Sequence, residues 1–315
     1  GYLCRGCGQP DRSPCSYWEI LYFEGISARL AITLAFMKLA LATISYLITV
    51  FALILLAIRV RQLIAIYKKQ QPDPTRSNNK SARFTHMLKE VLGHTKMLNF
   101  TGTGIAHWFV MIGFGALFGT LVTAYGQVIN PDFALPIIGH FVGYELFAEA
   151  IAALTGIGIV TLIGIRQATR FWHKGRASRF AGSNQGRAYY VEATILAVVF
   201  CVFALRGLEG ALAGETSWNW HYAISWPAVL AFKGMSAAAI ENAIVWVATA
   251  KIVISMAWFI VIASNLTMGV AWHRFLAPFN IFFRRNADGK SSLGALPVMM
   301  SHGEEINFED PKEDD

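Results

Sequence analysis

The chain has 315 residues, 55% of them hydrophobic and only 15% charged, with a mean hydropathy of +0.43. A soluble domain carries about 25% charged residues, so this composition excludes a freely soluble globular protein and points to a helical membrane protein. The net charge of +7 would suit a nucleic-acid binder, but it is concentrated in a few loops between apolar runs, so no nucleic-acid partner is expected.

Residues 1–29 read as an irregular head. Cys4 and Cys7 form a lone C-x-x-C with Cys15 nearby, and no His completes a four-ligand zinc set. Residues 39–58 are then 20 positions without a charge, matching the ~20 needed to cross the hydrocarbon core. The following stretch, 59–89, holds eight Lys or Arg. Within it, 70–81 is a loop, and 82–98 reads as an amphipathic helix on the membrane surface. A second span is expected at 104–124, with His107 near its start and Gly113, Gly115 and Gly119 along it. The loop 125–141 contains no Lys or Arg. A third span, 144–165, carries Glu145 and Glu149 near one end, and 166–187 follows with six Lys or Arg. A fourth span covers 189–208. Residues 209–240 have a single Lys233 among Trp218, Trp220, Tyr222 and Trp226, an interfacial composition. A fifth span, 244–272, carries Lys251. It runs into His273 and Arg274, and an acidic tail, 286–315, closes the chain.

Loops rich in Lys and Arg alternate at every turn with loops that hold none or one. The positive-inside rule therefore predicts an all-α membrane protein, a five-transmembrane-helix bundle with its N-terminus outside and its C-terminus cytoplasmic, in which 30–285 form the membrane domain. Because the chain starts at Gly1 and ends in an acidic linker, it is expected to be part of a longer protein.

An ionisable side chain inside a membrane marks a functional site by default, and imidazole is a usual axial ligand of haem. Of eight His, only His107 and His273 fall in or at the edge of a span on the basic side, at similar depth. Two imidazoles from different helices at one depth are what a haem needs; two interfacial His bonded to backbone or headgroups are the plainer alternative. His94 lies 13 residues before His107, roughly 140° away on a continuous helix, and is expected on the surface. Arg274, Arg166 and Arg170 lie at the right face for haem propionates and equally satisfy the charge rule. On the other side, Glu145 and Glu149 share a helix face with His140 and Lys251 nearby. They are candidates for a quinone site, or else for interfacial caps and a structural ion pair.

The segments GTGIAHWFVMIGFGALFG (102–119) and MGVAWHRFLAPFNIFF (268–283) resemble the second and last membrane helices of the nitrate reductase gamma-subunit family of b-type cytochromes. The likeness is strongest to membrane domains joined to heterodisulfide-reductase-type iron–sulfur proteins, of the actinobacterial type that takes electrons from electron-transfer flavoprotein. The resemblance implies that His107 and His273 hold a haem b. It also implies a second ligand pair, but Ala116 and Leu117 stand at the one position and Ser255 at the other, so one haem is expected. By the same resemblance, 4Fe–4S clusters on a further module or partner deliver electrons, a membrane quinone (menaquinone) accepts them, and the protein sits in a bacterial cell membrane. A haem-free anchor and a transporter are the competing readings. The fragment is not expected to be active alone.

Overall fold

The structure, a computed structural model, describes residues 15–71, 73–172, 184–287, 298–301 and 303–309; side chains are not described for 15–28, 30, 31 and 169–172. The Cys4-x-x-Cys7 motif and the last residues of the acidic tail lie outside this set.

The protein is an all-α membrane protein whose five apolar helices are each long enough to cross a bilayer. The first, α1 (Cys15–Tyr67), has 53 residues, about 80 Å at 1.5 Å per residue. It begins directly after Pro14, which ends a helix-breaking stretch. Helix therefore occupies the second half of the expected irregular head. Only a narrow stripe of α1 is buried, at Leu41, Ser45 and Ala52, while Ile44, Leu47, Phe51 and Ile54 face outward. In lipid such an outward apolar face carries no penalty.

A loop leads to α2 (Lys80–Leu92), the amphipathic element expected from the sequence, which ends at Gly93. The second span is divided into α3 (Thr101–Ala116) and α4 (Phe118–Gln127), with Leu117 between them. The third and fourth spans are α5 (Val142–Trp172) and α6 (Gln185–Leu212). A short α7 (Trp226–Phe232) packs on α6. The fifth span is α8 (Ala237–Ser264), followed by a turn and a separate α9 (Gly269–Phe282). The last span therefore stops at Ser264, not at 272, and His273 does not belong to it. Asn265 leaves helical geometry, and its side-chain amide donates back to the Val261 carbonyl at 2.8 Å. A two-residue hairpin, β1 (Met300–Ser301) with β2 (Glu304–Glu305), lies in the tail.

The core lies where α1, α4, α6 and α8 meet, around Ala52, Ala124, Leu208, Ile244 and Ile252. A second cluster, with Trp258, Ile262, Met268 and Trp272, fastens α9 to the bundle. Helices α3 and α5 approach closely because glycines face the contact. A Cβ on Gly113 would lie 1.9 Å from Thr155 Oγ1, and one on Gly158 would lie 2.7 Å from the Ala106 carbonyl oxygen. Gly113→Val is accordingly expected to separate the two helices and cost about 1–3 kcal/mol, read as a lower thermal midpoint in detergent. An unchanged midpoint would refute the tight contact.

Candidate functional site

Two polar centres lie at opposite ends of the bundle. At the first, α2 is stopped by Gly93, and His94 takes a left-handed backbone conformation (φ +51°). Asn, Asp and His tolerate that region better than most side chains. The reversal turns His94 inward, where it is 8% exposed. Its Nε2 lies 2.8 Å from His107 Nδ1, and the two rings stack with centroids 5.0 Å apart. His94 is thus not a surface residue. The 140° separation assumed one continuous helix, and the turn at 93–96 and the short 3-10 helix Met97–Phe100 remove that premise. The indole of Trp108 donates to the Leu92 carbonyl at 2.8 Å, satisfying an end group of α2.

His273 reaches the same place from α9. The Trp272 indole donates to the carbonyls of Ile262 (3.1 Å) and Asn265 (3.2 Å), so it caps α8 and pins the start of α9 against it. The next residue is His273, whose ring centroid lies 6.0 Å from that of His107. His273 Nδ1 donates to the Gly269 carbonyl at 3.1 Å. The far end of α9 is held by Arg83 of α2, which is 2% exposed. Arg83 donates to the carbonyls of Phe282 (3.1 Å), Arg284 and Arg285, and to Thr75 and Asn78. Arg284 forms a two-pronged ion pair with Glu90.

An apolar cavity of about 260 Å³ opens further along α3, lined by Val110, Phe114, Leu117, Ser255, Trp258 and Arg274 among others, with none of the three imidazoles on its wall. Leu117 and Ser255 therefore open on the same space. The Arg274 guanidinium sits over the rings of Phe114 (4.9 Å) and Trp258 (5.1 Å). It has no hydrogen-bond or ion-pair partner among the described residues. Arg166 differs: its guanidinium is held by Glu192 at 2.7 Å. The side chain of Arg170 lies outside the described residues.

At the other end, three carboxylates converge on one guanidinium. Arg206 Nε contacts Glu149 at 3.2 Å, and Nη1 contacts Glu145 at 3.2 Å and Glu209 at 2.6 Å. Glu149 is fully buried, and its second oxygen accepts from the backbone N–H groups of Ile224 (2.8 Å) and Ser225 (3.1 Å). Glu145 also bonds His221. The Tyr222 ring lies under Arg206 at 4.6 Å. Burial pushes the Tyr222 phenol up to about 12, against the opposing pull of the Arg206 charge, so it stays neutral.

A cavity of about 300 Å³ adjoins this cluster, and its wall includes His140, Glu145, Lys251, Tyr144, Gln127 and Glu209. Three of the four residues expected to surround a quinone thus share one cavity, and Glu149 sits behind it, under Arg206. Lys251 is 1% exposed and donates to Thr120 through its carbonyl (2.8 Å) and hydroxyl (2.9 Å). Two buried polar atoms on the wall, Gln127 Oε1 and Tyr144 Oη, have no partner.

Arg206, Glu209, Gln127 and Tyr144 escaped the sequence reading. The signal for the first two was an Arg and a Glu three apart in an otherwise apolar run. No protein-family model, curated protein or solved structure matches this chain.

Proposed function

We propose that this chain is the membrane domain of a b-type cytochrome in a bacterial cell membrane, passing electrons from cytoplasmic iron–sulfur or flavoprotein donors to a membrane quinone such as menaquinone. The observation that carries this reading is the imidazole pair. His273 commits Nδ1–H to a carbonyl, so its Nε2 keeps the lone pair. With His94 Nε2 as the acceptor of the His107 Nδ1–H, His107 also keeps a lone pair on Nε2. The 6.0 Å between their ring centres is within reach of one metal ion held by a nitrogen of each ring at about 2 Å.

Among the described residues no three His, Cys, Asp or Glu side chains are grouped to hold a bare ion. A two-imidazole set suits haem, which brings its own four nitrogens. Arg274, next to His273 in the chain and stacked only on Phe114 and Trp258, offers unused N–H donors to a propionate. When bound there, haem supplies a one-electron carrier.

The cavity at the opposite end supports a quinone head. Its carbonyls would accept from Tyr144 Oη and Lys251 Nζ, and the hydroxyls of the reduced form would donate to Gln127 Oε1. Reduction takes two electrons and two protons. Glu145 and His221 form a hydrogen-bonded line from the cavity wall toward the surface. Arg83, Lys89 and Lys96 lie at the imidazole end, and Arg166 lies at the same end of α5. The uncharged-to-acidic loop 128–141 flanks the other, which supports a cytoplasmic imidazole end. An iron–sulfur partner on the cytoplasmic side, with electron-transfer flavoprotein upstream, completes the reading.

The test is a dithionite-reduced minus air-oxidised spectrum of the purified chain expressed with haem supply. A b-type signal is expected, abolished in His107→Ala and in His273→Ala while both variants elute as folded protein. Folded wild-type protein without that signal would overturn the proposal.

A further inference from the structure

Behind the two proposed ligands stands a third imidazole that the haem reading does not require. We infer that His94 is a positioning residue for His107: it accepts the Nδ1–H of His107, fixes that ring's tautomer and plane, and raises the donor strength of its Nε2. This inference rests on the haem reading.

Three observations support it. First, the contact is direct, 2.8 Å between His94 Nε2 and His107 Nδ1. Second, the rings are nearly parallel, 16° between planes, so the two move as one stack. Third, the backbone departs from helix to make the contact. His94 has φ +51° immediately after the end of α2, and this alone brings a side chain of the α2–α3 connection under the first two turns of α3. A histidine ligand whose second nitrogen donates to a fixed acceptor is a better electron donor, and the oxidised metal gains more from it than the reduced one. His273 has only the carbonyl of its own helix in that place, the Gly269 oxygen at 3.1 Å. The two ligands are thus supported unequally. His107 is held by a side chain from another element, and His273 by the helix that carries it.

The experiment uses the purified full chain and two substitutions. Asn adopts the left-handed backbone region readily, but its shorter side chain falls short of His107, so His94→Asn removes the acceptor without straining the turn. His94→Gln restores an acceptor oxygen at greater reach. Haem dissociation is followed by transfer to excess apomyoglobin, and the midpoint potential by redox titration.

His94→Asn is expected to speed haem loss about 10–100-fold. If the oxidised form is weakened tenfold more than the reduced form, the midpoint rises by about 59 mV. His94→Gln is expected to recover most of both. A His94→Asn protein with wild-type potential and haem retention would overturn the inference while leaving the two-histidine haem intact. Equal losses in both variants would make His94 merely structural and overturn it too. Absence of haem from the wild type would overturn the underlying reading as well, and is distinguished by the spectrum alone.

Discussion

Arg206→Met is expected to destabilise the end of the bundle opposite the imidazoles by about 3–5 kcal/mol, because it leaves buried carboxylates without their counter-charge. Arg206 is the shared partner of Glu145, Glu149 and Glu209, and Glu149 has no exposure to dilute the loss. The measurement is the thermal midpoint in detergent at neutral pH, expected to fall on the order of 5–10 °C. Two companion variants sharpen it. Arg206→Lys should recover only part, since one ammonium cannot reproduce the forked geometry that joins three carboxylates. Combining Arg206→Met with Glu149→Gln and Glu145→Gln should recover more than Arg206→Met alone, because the uncompensated charge is what costs. If the single and combined variants melt together, the cluster is not held by charge pairing.

Arg83→Met should act at the imidazole end. Arg83 holds three carbonyls at and just beyond the C-terminus of α9, where a helix has no partners of its own for them. A hydrogen bond to a charged donor contributes about 1.5–3 kcal/mol, so loss of this set should open the α2–α9 contact by more than one such bond. Amide exchange across residues 275–285 is expected to quicken about 100-fold or more, with residues 240–262 unaffected. Unchanged exchange in 275–285 would show that Glu90–Arg284 alone holds the contact.

The spans were legible because charge-free runs of about 20 residues have few alternatives in a 315-residue chain. The sequence reading put His107 and His273 at the edges of two spans; the structure brings their rings within 6.0 Å, with His273 on a separate short helix. The sequence reading failed where the backbone leaves regular geometry. Treating 82–98 and 104–124 as smooth helices put His94 on the wrong face, since one residue at positive φ is invisible to a periodicity argument. Running the last span through to 272 passed over Asn265, whose side chain folds back on the preceding turn. Arg206 was missed because an apolar average over a span hides one cation with three partners, two of which, Glu145 and Glu149, come from a different helix. The four residues picked for the far cavity were picked as a charge cluster. Gln127 and Tyr144, which carry the unpartnered atoms there, are uncharged and drew no notice.

The turn between Ser264 and Gly269 has a mechanical consequence. His273 rides on a short rod clamped at two points, by Trp272 against the end of α8 and by Arg83 against α2, with no continuous helix joining it to the span before it. His107 has α3 and α4 beneath it. Warming should therefore loosen the two imidazoles unequally, and the separation between them will widen from the α9 side first. A pull on the chain beyond Arg285 reaches His273 through that same rod, so whatever docks past residue 285 has a direct grip on one of the two rings and none on the other.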